Sequence, residues 1–118
     1  MPKKEEIVKP FEFDTSDGTH YSLTFTKESV AFAEARGFVQ EDLRRFPVTA
    51  IPDLFYYAFR ANHKGLSRTQ TDAILENELC GLTPEEMGQL NDLFTMPALA
   101  FVRIDGEETK NRKATVRT

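Results

Sequence analysis

The sequence predicts an α+β fold, mainly α, in which an N-terminal β-hairpin is followed by about four helices and a flexible C-terminal tail. Three observations predict this class. Apolar side chains alternate with polar ones from Phe11 to Phe25, which is typical of strands with one buried face. Capping boxes at Ser67 and Thr83 each indicate the start of a helix. After Val102 the hydrophobic pattern stops, which indicates a tail without a core of its own.

The chain of 118 residues is long enough for one domain. We expect a flexible N-terminus at residues 1–9, a single globular domain at residues 10–102 and a flexible basic tail at residues 103–118. No apolar run approaches the roughly 20 residues that a membrane helix needs, and no secretory signal is evident at the N-terminus. The single cysteine, Cys80, fits a reducing compartment, and we expect a small buried side chain near a helix end. Together these features predict a cytoplasmic protein.

Charge is distributed unevenly along the chain. Lys110, Arg112, Lys113 and Arg117 lie in a terminal stretch without any acid. Subtracting these four positive charges from the net charge of −4 leaves −8 for residues 1–109. Because an acidic body repels phosphate, nucleic acid is an unlikely partner for the folded part, and a solvated basic tail is the simpler interpretation of the C-terminus.

The predicted hairpin turns at the sequence Thr-Ser-Asp-Gly-Thr. A two-residue loop, Asp17-Gly18, would place the apolar sets of the two strands on opposite faces, because directly opposed residues share a face. A three-residue loop, Ser16-Asp17-Gly18, with Gly18 in the left-handed conformation, places both sets on one core. The apolar pairs in that register are Phe13 with Tyr21 and Phe11 with Leu23.

The other features of the hairpin follow from the same register. Pro10 has no N–H group for a ladder, so the first strand should begin after it or lie at a sheet edge. The solvent face should pair Glu12 with Ser22 and Asp14 with His20. We therefore expect a solvated carboxylate beside His20 and no catalytic role for its ring.

A short helix should follow the hairpin. Thr26 is a suitable N-cap for a helix over residues 27–36, and Gly37 supplies a left-handed stop. The next stretch, "FVQEDLRRFP", predicts a linker or a single helical turn that ends before Pro47. Its apolar residues, which should cover the core, are Phe38, Val39, Leu43 and Phe46.

The helix of the stretch "PVTAIPDLFYYAFRANHKGLS" is unusually apolar. At about 100° per residue its apolar side chains cover an arc of roughly 200°, about twice what a surface helix needs. Such a helix must either lie at the centre of the domain, which we favour, or bury part of itself against a second chain. Asp53, Tyr56 and Arg60 occupy the opposite side, so Tyr56 should be the most exposed aromatic residue. The apolar set is Val48, Ile51, Leu54, Phe55, Tyr57, Ala58, Phe59 and Ala61.

Two further helices should begin at capping boxes. Ser67 with Gln70 starts the first and Gly81 stops it, whereas Thr83 with Glu86 starts the second, with Pro84 at the first helical position. Pro97 should kink or end the second helix. The expected apolar faces are Ile74, Leu75 and Leu79 on the first helix, and Met87, Leu90, Phe94, Ala98 and Phe101 on the second.

The inventory of reactive groups predicts no catalytic, cofactor-binding or metal-binding residues. Nucleophilic catalysis needs a nucleophile and a base held together, but the only thiol and the two histidines lie in separate elements. His63 and Lys64 are expected at a helix end, where cations complement exposed carbonyl groups. Zinc needs clustered sulfur or imidazole ligands, and no such spacing occurs. The sequence therefore predicts a protein that is not an enzyme.

Binding is the remaining class of function. A hairpin with a free edge can donate main-chain hydrogen bonds to a partner strand, and an aromatic helix can accept an apolar segment. Tyrosines give large contact area with little loss of side-chain entropy. They could equally serve as amphipathic cover over the core. The predicted partner-binding residues are Leu54, Tyr56, Tyr57, Phe59 and Arg60.

The order of motifs resembles that of a known family. "FEFD", "DGTHYSLTFTKESV" and "ARGF" precede "PVTAIPDLFYYAFRANHKGLS" and "TDAILEN". This order is similar to that of the small tail assembly chaperones of long-tailed (siphovirus-type) phages and prophages of Gram-positive bacteria, over roughly Phe11 to Leu99. The resemblance implies a non-enzymatic protein of the host bacterial cytoplasm. It implies binding to the phage tape measure protein and recruitment of the tail tube protein.

Other functions stay open at this point. A structural minor tail or head–tail joining protein would remain in the virion, whereas a chaperone would be absent from it. A small regulator that binds nucleic acid through its basic tail would show strongly salt-dependent DNA binding. Self-association is possible for any of them.

Overall fold

The N-terminal hairpin has the predicted register. The structure is a computed structural model that describes residues 8–102 and 113–117. Strand β1 (Phe11–Asp14) pairs antiparallel with β2 (His20–Leu23), with Phe11 opposite Leu23 and Phe13 opposite Tyr21. Gly18 has a φ of +87°, so the left-handed turn position is confirmed.

The predicted terminal segments are only partly described. Residues 1–7 of the N-terminal segment and residues 103–112 and 118 of the tail lie outside the described residues. Residues 8–10 lead into β1 without regular secondary structure, and residues 113–117 are exposed.

Helices make up most of the rest of the described chain, which confirms an α+β fold that is mainly α. The α-helices are α1 (Lys27–Ala35), α2 (Asp42–Arg45), α3 (Pro47–Ala58), α4 (Arg68–Ala73) and α5 (Pro84–Thr95). A π-helical turn (Ile74–Glu78) continues α4, and a 3-10 helix (Met96–Phe101) continues α5. The α-helical geometry therefore ends just before Pro97, as predicted.

Local caps account for the helix starts. Ser67 with Gln70 and Thr83 with Glu86 form the two predicted capping boxes. Thr26 is the N-cap of α1 as predicted, and Ser29 completes a third capping box that the sequence analysis missed because serine replaces the usual acid or amide. Each box satisfies main-chain N–H groups that a helix start would otherwise leave without partners.

Helix α3 lies at the centre of the core, as the width of its apolar arc predicted. The side chains of Leu54, Phe55 and Ala58 have no exposed surface, and Phe59 is 2% exposed. The hairpin covers one side of α3, where the rings of Phe13 and Phe55 stack at 6.3 Å. Helices α1, α4 and α5 also contact α3. The wide arc is therefore explained within one copy of the chain.

Several apolar residues expected in the core lie at the surface instead. Val48 is 89% exposed, Phe46 is 55% exposed and Val39 is 51% exposed, and the single turn of α2 buries none of its own residues. Phe101 is 76% exposed and Ala98 is also exposed, whereas Leu99 is buried. A 3-10 helix advances about 20° more per residue than an α-helix, so the apolar face of α5 does not continue past Thr95.

Cys80 corrects another expectation, because its side chain is exposed and not buried. The chain reverses direction after the π-helical turn, and both Cys80 (φ +54°) and Gly81 (φ +91°) adopt the left-handed conformation there. That reversal turns the thiol outward. Among the described residues, no helix is long and apolar enough to cross a membrane.

His20 carries a testable pH dependence. Hydrogen bonds to Asp14 (2.6 Å) and Glu12 (2.9 Å) raise the pKa of His20 above its ordinary value of 6.5. The raised pKa means that the ring stabilises the hairpin fully below about pH 6.5 and that this contribution is lost as pH rises through the folded-state pKa. We expect an NMR titration of His20 to have its midpoint above 6.5, and Asp14→Asn to lower that midpoint more than Glu12→Gln does. A midpoint unaffected by either substitution would contradict this prediction.

Candidate binding surfaces

The predicted partner-binding residues do not form one exposed patch. Leu54 (0% exposed) and Phe59 (2%) lie in the core, so neither side chain offers a surface to a partner in the folded chain. Tyr57 is also buried, at 8% exposed. Tyr56 and Arg60 are partly exposed, and of the five they alone offer appreciable surface. The helix is central, and a central helix buries residues on more than one side.

Tyr57 is held in an aromatic cluster. Its ring makes edge contacts with Phe32 at 6.1 Å and with Phe38 at 5.9 Å, and the ring of Tyr56 lies at 5.3 Å. Burial raises the pKa of the Tyr57 phenol. Tyr57 therefore serves as cover over the core, which was the other interpretation of this residue.

Arg60 is engaged within the chain. Its guanidinium lies 3.6 Å from the centre of the Phe32 ring, and the guanidinium of Arg36 lies 3.7 Å from the same ring. Each of the two guanidinium groups makes a cation–π contact with the Phe32 ring. Arg60 also donates a hydrogen bond from Nε to Glu28 at 3.0 Å. A partner would have to compete with these contacts.

A small depression adjoins this stack, with Phe32, Tyr56, Arg60 and His63 among its lining residues. Only about 20 Å³ is open inside it, which is room for a water molecule and not for a substrate. The depression therefore does not support a small-molecule site.

The two tyrosines can be separated by mutation. Tyr57→Ala should lower the free energy of unfolding by about 3 kcal/mol, because it removes a ring packed on Phe32 and Phe38. Tyr56→Ala should cost less than about 1 kcal/mol, since that ring is partly exposed. Urea denaturation followed by circular dichroism measures both. Equal losses would contradict the packing.

One edge of the hairpin is closed by the last residue of α3 and the residues that follow it. The main-chain N–H of Ser22 donates to Nε2 of His63 at 3.1 Å, and the Asn62 side chain donates to the Ser22 carbonyl at 2.9 Å. The N–H of Thr24 donates to the Ala58 carbonyl at 3.3 Å. His63 therefore has a structural role in which its ring holds the edge of β2. Within residues 8–102 and 113–117, the edge of the hairpin that stays free is that of β1.

An open apolar groove that the sequence analysis did not predict lies between α2 and α5. We call it the α2–α5 groove, and its volume is about 570 Å³. Gly88 lies on its α5 side and leaves the helix backbone uncovered, since no other atom lies within 4 Å of where a Cβ would be. Partly buried Leu43 and Met87 line it. Its lining residues are Leu43, Arg44, Leu82, Pro84, Met87, Gly88 and Asn91.

Charged groups border the α2–α5 groove. Arg44 forms an ion pair with Glu41. Glu41 and Arg44 also line an adjoining depression, together with Asp92 of α5. Asp92 has no ion pair among the residues that the structure describes. Met87 and Leu82 could have been recognised from the sequence as apolar residues near a helix start, but the facing wall from α2 could not.

A second open groove lies between α1 and the 3-10 helix, with a volume of about 480 Å³. Val30 and Phe101 line it, and the Lys27 ammonium lies 4.9 Å from the centre of the Phe101 ring. In residues 8–102 and 113–117, no group of three or more His, Cys, Asp or Glu side chains is placed to hold a metal ion.

A comparison with protein families gives a match over most of the chain. Residues 6–118 match a family described as a domain of unknown function (DUF5055). No curated protein and no solved structure matches the chain.

Proposed function

The chain belongs to the DUF5055 family, and for this member we propose a function in binding: it is a tail assembly chaperone that holds an apolar helical segment of a phage tape measure protein. While bound, it helps to recruit subunits of the tail tube protein, and it leaves before the tail is complete. The place of action is the host bacterial cytoplasm. The resemblance of the motif order over Phe11–Leu99 to small tail assembly chaperones supports this proposal.

The observation that carries the proposal is the open α2–α5 groove. The groove stays open although the core beneath it is complete, with Leu90 fully buried and Phe94 5% exposed. An amphipathic helix binds to such a groove through apolar residues spaced at three and four positions. Gly88 allows the backbone of that helix to approach closely, and the flexible Met87 side chain adapts to the residues it presents.

Charge at the border of the groove indicates the kind of helix that fits. Glu41 already pairs with Arg44, whereas Asp92 is available to a basic side chain. The body of the protein is acidic, with a net charge of −8 for residues 1–109. The proposed occupant is therefore a helix with one apolar stripe and lysine or arginine beside it. A long helical protein with such stripes would aggregate alone, and transient cover would keep it available for assembly.

Coexpression with the tape measure protein of the same phage or prophage tests the proposal. We expect the tape measure protein to stay soluble and to copurify with this chain, and to precipitate when this chain is omitted. Mass spectrometry of purified virions should detect no copies of this chain. Retention in virions would instead support the structural tail or joining protein, and a tape measure protein that is equally soluble alone would contradict the chaperone.

A further inference from the structure

The outer edge of β1 carries main-chain groups that face away from β2. The N–H of Thr15 donates to the Thr19 carbonyl at 2.9 Å. Alternation along an antiparallel ladder then directs the main-chain groups of Phe11 and Phe13 toward β2, and those of Glu12 and Asp14 outward. The same alternation directs Ser22 and Thr24 outward from β2, as their hydrogen bonds to the last residue of α3 and the residues that follow it confirm.

These outward groups of β1 are open to a partner strand. Among the described residues, the N–H and C=O groups of Glu12 and Asp14 take part in no hydrogen bond outside the hairpin. The two side chains are 54% and 71% exposed. Hydrogen bonds from neighbouring elements reach the two ends of this edge. Gln89 donates to the Lys9 carbonyl, and Glu78 accepts from Ser16 in the turn. A strand added here would extend a two-stranded sheet to three strands, which is the more stable arrangement.

The chain contains a segment that suits this edge. Lys113, Thr115 and Arg117 alternate with Ala114 and Val116, which is the period of a strand with two different faces. Threonine and valine favour extended backbone. All five residues are exposed, and none lies in a helix. The segment therefore presents its main chain and both faces to solvent.

We propose that residues 113–117 of a second copy of the chain add to β1 as a third strand. Lys113 and Arg117 would then lie on the face of Glu12 and Asp14, opposite or diagonal to them, where unlike charges attract across strands. Acidic side chains on an edge strand ordinarily discourage pairing, and here they select a basic strand. Ala114 and Val116 would lie on the other face, beside partly buried Phe13.

The second copy is the source because, within one copy, the segment stays exposed along its whole length. The alternating pattern of residues 113–117 suits strand pairing, but within the described part of a single copy the segment is not paired with a strand. This inference is independent of the proposed function, because neither the α2–α5 groove nor a tape measure protein takes part. If strand pairing between copies is disproved, the proposed chaperone function still stands, and the reverse also holds.

Charge exchange between two variants of the full chain tests the pairing. Sedimentation velocity should show concentration-dependent association of the wild type. Glu12→Lys with Asp14→Lys, and separately Lys113→Glu with Arg117→Glu, should each weaken association at least about tenfold. An equal mixture of the two double variants should associate again, because the basic edge of one then meets the acidic segment of the other. Glu34→Lys with Glu76→Lys makes the same charge change at exposed sites away from β1 and should leave association unchanged.

A charge-neutral change tests whether the contact is a strand. Thr115→Pro with Val116→Pro removes main-chain N–H groups from the segment and should weaken association at least about tenfold. A wild type that stays monomeric up to its solubility limit would overturn the proposal. So would association that persists in the proline variant, or a mixture of the charge variants that stays monomeric.

Discussion

Phe55→Ala should lower the free energy of unfolding by about 3 to 5 kcal/mol, the largest effect that we expect from any single substitution. The ring is fully buried at the centre of α3. It stacks with Phe13 of the hairpin at 6.3 Å and makes an edge contact with Phe59 at 5.1 Å. Removing it loses the transfer free energy of the ring and leaves a cavity between the hairpin and the helices. Domains of this size are stable by only about 5 to 15 kcal/mol, so the loss is a large part of the total.

Chemical denaturation followed by far-UV circular dichroism measures this effect. Phe101→Ala is the matched control, since that ring is 76% exposed and its removal should change stability by less than about 0.5 kcal/mol. If Phe55→Ala does not fold, Phe55→Leu retains most of the volume and should show a smaller loss of the same sign. Equal stability of the two alanine variants would contradict the central position of α3.

Gly88→Leu should reduce capture of the tape measure protein about tenfold or more while leaving the chain folded. The new side chain would project into the α2–α5 groove and occupy the place of the partner helix. The position is strain-free for leucine, because Gly88 does not adopt the left-handed conformation and a Cβ meets no atom within 4 Å. Leucine is also the better helix former by up to about 1 kcal/mol, so stability should stay equal or rise. Loss of binding without loss of stability is the expected signature.

Titration of a helical peptide from the tape measure protein against each variant gives the dissociation constants. Ala73→Leu is the matched control, since it places the same side chain on an exposed position of α4 outside the groove. Met87→Glu should also weaken binding, because it puts a charge in the apolar lining. If both groove variants still capture the tape measure protein as well as the wild type does, the binding site is not the α2–α5 groove. The groove between α1 and the 3-10 helix is then the next candidate.

The correct predictions came from patterns between residues that are neighbours in the chain. Alternation of Phe11, Phe13 and Tyr21 around Gly18 gave the register of the hairpin. Ser67 and Thr83 gave two helix starts, because a cap satisfies N–H groups within three residues. These interactions are local, and the sequence displays both partners side by side.

The site predictions were less successful, for a physical reason that Leu54 and Phe59 illustrate. Both lie on the wide apolar arc of α3, and the arc itself does not indicate which part stays exposed. The exposed part of the arc depends on elements that are distant in the sequence, such as the hairpin, whose Phe13 packs on Phe55. Arg60 was predicted at the surface, but the sequence does not show that Phe32 lies beneath its guanidinium.

The sequence by itself determined the class of the fold, the hairpin register and the capped helix starts, because periodicity and capping act over a few residues. It left open whether α3 is central or lies against a second chain. Only the tertiary structure decided which apolar surface remains open. Leu43 lines one wall of the α2–α5 groove and Met87 lines the other. His63 closes the outer edge of β2, whereas the outer edge of β1 stays free in the part of the chain that the structure describes. Burial is a property of elements brought together from distant parts of the chain, so surfaces left open after packing cannot be read from any one of those elements.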